Sequence, residues 1–127
     1  MIAVAVHLYT PYDFTYAASS NSISVWDGSR KKDIVSVLRG INDYLLKDGN
    51  GVPVIVTEFG AENKKNEEEV CKWLEDYMGL MNEKNIPCVW WDNGILSGKG
   101  EKFGIFDRKT CTWKYEAVTN KLIELTR

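Results

Sequence analysis

The sequence predicts an α/β fold, a parallel βαβαβα arrangement, and three observations predict it. Short apolar runs recur at residues 2–8, 53–57 and 88–91. They are near-continuous in apolar character rather than alternating, as in parallel strands covered on both faces. Each is followed by a stretch whose apolar residues recur with helical spacing. The first run leads through a long loop to a helix with Ile34, Val37, Leu38, Ile41 and Leu45 on one stripe, closing at Gly49 as a C-terminal cap. The second leads to Asn66 and Glu69, placed as a capping box, and to a helix with Val70, Trp73, Leu74, Tyr77 and Met81 on its apolar face. The third follows Pro87, and a last helix carries Val118, Leu122 and Leu125. Strand–helix alternation of this kind implies parallel strands joined by crossovers.

Three such units raise a geometric difficulty. Their helices cover one face of a sheet, yet residues 2–6 and 53–56 are apolar on both. Either the sheet is small and open, or it is part of a larger barrel. The loops discriminate between the two. Those leaving the strands, at 9–30, 59–66 and 92–113, are long and aromatic, whereas the returns at 47–52 and 84–87 are short. An α/β barrel has this asymmetry, with function on the carboxyl face of the strands and plain returns beneath. We therefore expect residues 1–127 to form a single partial-barrel domain.

Composition excludes several classes of partner. A formal net charge of -2 gives no electrostatic reason for nucleic acid or an anionic membrane, and no apolar stretch is long enough to span a bilayer. The opening residues lack the basic flank and cleavage site of a signal peptide. Cys71, Cys88 and Cys111 have neither CxxC nor histidine spacing, so no metal site is expected, and buried inert thiols are the reading for the first two. Five tryptophans and six tyrosines suit a core, and they also suit stacking on flat, partly apolar ligands such as sugar rings.

The chemistry-bearing residues gather where strands end. Glu58 stands where the second apolar run gives out, followed by Phe59 and Gly60. It is either a solvated acid at a strand exit or a catalyst at the functional end of the sheet. His7, the single histidine, is two residues from Tyr9, so both point to one face of the first strand. At the third strand, one of Trp90 and Trp91 faces the helices and the other does not, and alternation alone leaves the choice open. Asp92 and Asn93 follow at the rim, where an indole beside polar side chains suits a sugar platform.

The segments His7-Leu8-Tyr9-Thr10-Pro11-Tyr12-Asp13-Phe14-Thr15, Val54-Ile55-Val56-Thr57-Glu58-Phe59-Gly60-Ala61, Trp90-Trp91-Asp92-Asn93-Gly94 and Glu101-Lys102-Phe103-Gly104-Ile105-Phe106-Asp107-Arg108 together resemble the glycoside hydrolase family 5 cellulases, in order and across essentially the whole chain. The resemblance is closest to clostridial-type endo-β-1,4-glucanases. It implies an eight-stranded β/α barrel of which these residues form strands six to eight. Glu58 is then the nucleophile of a retaining hydrolysis, His7 and Tyr9 its hydrogen-bonding support, and Trp91 the sugar platform. The expected substrate-binding set is Trp91, Asp92, Asn93 and Trp26. The expected partner is a β-glucan polysaccharide, with an extracellular location and no cofactor.

Retaining hydrolysis requires a second carboxyl group about 5 Å from the nucleophile. The family draws it from an Asn-Glu-Pro motif on strand four, and that tripeptide does not occur here. The Asn-Glu pairs present, Asn66-Glu67 and Asn82-Glu83, fall at a helix start and in a helix's last turn. Glu62, Asp92 and Glu101 are the other acids that could approach the site. The expectation is weak or absent turnover by these residues alone. Strand edges and an apolar sheet face are also expected to drive self-association or pairing with a complementing part of the barrel. The alternatives are a non-catalytic glucan-binding module and a self-associating barrel fragment with no activity.

Overall fold

Three strands form one parallel sheet in the order β1-β2-β3: β1 is Val4–His7, β2 is Val54–Phe59 and β3 is Cys88–Trp90. The structure is a computed structural model that describes residues 2–47 and 51–126. Pairing begins at Val4 rather than Ile2 because the Val4 N–H is the one that reaches a neighbouring carbonyl, that of Pro53, at 2.8 Å. β2 runs two residues beyond the predicted run and so carries Glu58 inside the strand.

The helices follow in the expected places. α1 is a single turn, Tyr12–Thr15, that the sequence did not announce. α2 spans Lys31–Ile41 and continues as a π-helix over Asn42–Lys47. Its stripe is narrower than expected: Ile34, Leu38 and Ile41 are buried, but Val37 is exposed. At 3.6 residues per turn Val37 lies about 60° off the stripe's centre, on the flank. The expected cap at Gly49 lies outside the described residues. α3, Glu67–Asn82, buries Val70, Trp73, Leu74, Tyr77 and Met81 as predicted, together with Met78. It ends close to Asn85, whose φ of 54° is the left-handed conformation that asparagine tolerates. α4 spans Glu116–Leu125 and packs beside α3.

The predicted capping box does not form. Asn66 is the N-cap residue but makes no side-chain cap bond. Its amide donates to the Ser24 carbonyl, and Glu69 accepts the Trp26 N–H instead of turning back on Asn66. Both polar groups bind the long loop after β1, which tertiary proximity makes the better partner. A second departure is a small antiparallel hairpin, β4 (Phe106–Asp107) with β5 (Thr112–Trp113), inside the stretch read as loop.

All three long helices lie against one face of the sheet. Val4, Val6, Leu8, Val54, Val56, Phe59, Cys88 and Trp90 belong to the resulting core. On the opposite face Ala5 and Val89 are exposed and Ile55 is half-buried. The sheet is thus apolar on both sides and covered on one. Cys71 and Cys88 are partly buried, and burial raises both thiols, that of Cys88 to about 12. Cys111 is exposed.

Candidate active site

An irregularity in β2 creates the site. Val6 pairs with Val56, but the next residue, His7, pairs with Glu58. On the other side, Val56 pairs with Cys88 and Phe59 with Trp90. β2 therefore carries one extra residue against both neighbours, a β-bulge at Thr57, whose hydroxyl donates to the Val6 carbonyl at 3.4 Å. Strict alternation would put Glu58 on the side of Val54 and Val56, under the helices. The bulge turns it to the open face, and Phe59 takes the buried place.

On the open face Glu58 meets the residues expected beside it. The Tyr9 hydroxyl donates to Glu58 Oε2 at 3.1 Å, and His7 Nδ1 lies 3.3 Å from the same oxygen. Burial, and then the hydrogen bond and charge of Glu58, push the Tyr9 phenol well above its ordinary range. Deprotonating it would place a second negative charge against the carboxylate, so Tyr9 serves as a donor. Trp91, just past β3, is 40 % exposed, while Trp90 turns to the core and donates its indole N–H to the Phe103 carbonyl. The choice left open by alternation is thereby made: Trp91 stands at the rim of the open face.

The other expected binding residues sit differently. Trp26 is 4 % exposed, stacks edge-on against Phe14 and donates its indole N–H to Asp76. It is a core residue, and its ring has no face free for a sugar. Asp92 and Asn93 are at the rim, but their side chains brace their own loop. Asp92 accepts N–H groups from Gly94, Ile105 and Phe106 and a bond from Arg108, while Asn93 accepts from Ile95 and donates to the Glu101 carbonyl. Burial raises the Asp92 carboxyl, and these bonds outweigh it, leaving the group below its ordinary value. Gly104 completes the brace, since a Cβ there would lie 2.9 Å from the Ile95 carbonyl oxygen.

Glu62 is likewise committed. It is 2 % exposed and accepts the N–H groups of Ala17 and Lys102, joining the loop after β1 to the loop after β3. That bridge sets Tyr16 and Phe103 against the Tyr9 ring, with centroids 6.5 and 5.4 Å away. Neither had been assigned a part. Phe103 lies in one of the motifs quoted above, and its apolar character beside a charged pair was the available signal. Among the described residues no group of three or more metal-ligating side chains is gathered, and no helix is long and apolar enough to cross a membrane.

Known proteins resemble this chain in sequence and in fold. The family model for cellulase, glycosyl hydrolase family 5, matches residues 1–97. Endoglucanase A of Ruminococcus albus is 46% identical over 127 residues, which cover 97% of this chain and 34% of that protein. Endoglucanase A of Clostridium longisporum is 37% identical over 124 residues, covering 96% of this chain and 24% of that protein. Among solved structures, a family 5 xyloglucan-specific endo-beta-1,4-glucanase from a metagenomic library, in complex with cellotriose, superimposes with a TM-score of 0.91 at 41% identity, over 96% of this chain and 35% of that one. The chain spans between a quarter and a third, in round terms, of the length of these curated relatives, 24% of one and 34% of the other. With parallel strands, helices on one face and a solved neighbour of which it forms about a third, it is part of an α/β barrel, and it belongs to the cellulase family, glycosyl hydrolase family 5.

Proposed function

We propose that these residues form the nucleophile-bearing part of a retaining endo-β-1,4-glucanase that acts on extracellular β-glucan. The observation that carries the proposal is the Glu58 carboxylate on the open face, with both supporting contacts on one oxygen. Tyr9 and His7 meet Oε2, which leaves Oε1 free of hydrogen bonds among the described residues. Oε1 then attacks the anomeric carbon while the leaving oxygen takes a proton from a second carboxyl group. The glycosyl–enzyme bond so formed is broken by water, which that second group activates as base. Trp91 offers its exposed indole to a sugar ring beside the cleavage point. The relatives' names, endoglucanase and xyloglucan-specific endo-beta-1,4-glucanase, support a β-1,4-glucan backbone as substrate.

The second carboxyl group is assigned to a part of the barrel outside these 127 residues. Glu62 and Asp92 are engaged in structural bonds, the exposed Glu101 acts on the Tyr16 phenol, which it helps to raise, and no Asn-Glu-Pro occurs. Hydrolysis of carboxymethyl-cellulose tests both halves of the proposal. The 127-residue chain alone is expected to give at most a trace of product, and adding a polypeptide with strands one to five of a relative restores turnover. Robust turnover by the chain alone, lost in Glu58→Ala, would sink the missing-acid assignment; restored turnover that survives Glu58→Ala would sink the nucleophile. The exposed Trp91 also supports a second reading, glucan binding without cleavage. Calorimetry with cello-oligosaccharides separates the two, since a pure binder loses affinity in Trp91→Ala and is indifferent to Glu58→Gln.

A further inference from the structure

Beyond Tyr9, on the side of Glu58 away from Trp91, a second aromatic surface continues the site. Tyr12 and Tyr16 are stacked, with ring centroids 4.7 Å apart and planes inclined by 15°. Tyr16 in turn meets Tyr9 edge-on, and Tyr9 touches Glu58. Tyr12 is 57 % exposed, so one face of its ring rests on Tyr16 and the rest is open to solvent. A tyrosine bared to this extent on a single helical turn has little of its own to hold it. This one stands on a rigid base.

Tyr16 is held from both sides of the chain. The Glu62 N–H donates to the Thr15 carbonyl, and the Ala17 N–H donates to the Glu62 carboxylate. Phe103 packs on the Tyr16 ring at 5.5 Å. Beneath Tyr12, Asp13 is bonded to Arg30, and Phe14 is fully buried against Trp26 and Trp73. The phenol is therefore presented flat and in place before any ligand arrives, which lowers the ordering cost of binding.

Resting on the glucanase reading above, we propose that Tyr12, backed by Tyr16, is a stacking subsite for a further pyranose ring of the β-glucan, on the first-strand side of Glu58. The apolar face of a glucose ring matches an open phenol face, and the stack fixes the plane on which the chain lies. Glucan then crosses Glu58 between two aromatic surfaces, Trp91 at one end and Tyr12 at the other. The subsite binds substrate and takes no part in bond breaking.

Calorimetry of the 127-residue chain with cellobiose and cellohexaose tests the assignment. Tyr12→Ala is expected to weaken cellohexaose binding roughly three- to tenfold, leave cellobiose binding unchanged, and be rescued by Tyr12→Phe, which keeps the ring. Equal cellohexaose affinity in wild type and Tyr12→Ala overturns the subsite and leaves the glucanase reading standing. Equal losses on both ligands overturn it too, because Tyr12 would then act at the centre of the site. If the wild-type chain takes up no cello-oligosaccharide, the subsite falls, while the glucanase reading stands or falls by the complementation assay above.

Discussion

Tyr9 and Glu58 show how one contact sets the state of a site. The phenol is raised first by burial, then by the hydrogen bond and charge of Glu58, and further by Tyr16 and Glu101 nearby. A neighbouring carboxylate disfavours the phenolate, so neutralising it must lower the phenol's pKa, while burial keeps part of the elevation. In Glu58→Gln, an alkaline titration followed by NMR of Cζ-labelled tyrosine should find Tyr9 ionising at lower pH than in the wild type. An unchanged or raised Tyr9 midpoint would mean that the contact is absent in solution. The pairing of His7 with Tyr9 could be read from their spacing, as could their common face. The commitments of Trp26, Asp92 and Asn93 could not be read in full, because each includes a partner at least eight residues away, beside the two-residue turns that Asp92 and Asn93 also make.

At the scale of elements, α3 positions the site from behind. The Tyr77 hydroxyl donates to the Leu8 carbonyl at 3.0 Å, and the Trp73 indole donates to the Thr10 carbonyl at 3.1 Å. Both bonds pin the carboxyl end of β1, next to His7 and Tyr9. Phe59, the residue after Glu58, stacks on Tyr77 with centroids 4.9 Å apart. Tyr77→Phe keeps that stack but leaves the Leu8 carbonyl without its donor, which should cost about 1–3 kcal/mol. Urea unfolding should show a lower midpoint with an unchanged slope, and an unmoved midpoint would refute the role. The apolar face of α3 was written in its 3.6-residue period. Its bonds to β1 were not, and neither was the bulge at Thr57, which obeys the sheet register rather than any local residue preference.

At the scale of the whole molecule, the dominant feature among the described residues is a three-stranded sheet with two unpaired edges and one uncovered face. Exposed strand edges and apolar surface favour association, so we expect the 127-residue chain to self-associate, or to pair with a complementing part of the barrel. Sedimentation velocity over a range of concentrations checks this, and a monomer at the highest concentration would contradict it. By itself, the sequence determined the order and type of the main elements, the core faces of α3 and α4, and the presence of an acid, a histidine, a tyrosine and a tryptophan at strand ends. These follow from periodicity and from chain order, which are local properties. Only the tertiary structure decided which way Glu58 points, which tryptophan stands at the rim, and which polar side chains brace loops instead of awaiting a ligand. Those outcomes depend on register and on packing between residues distant in the chain, and no local pattern encodes either.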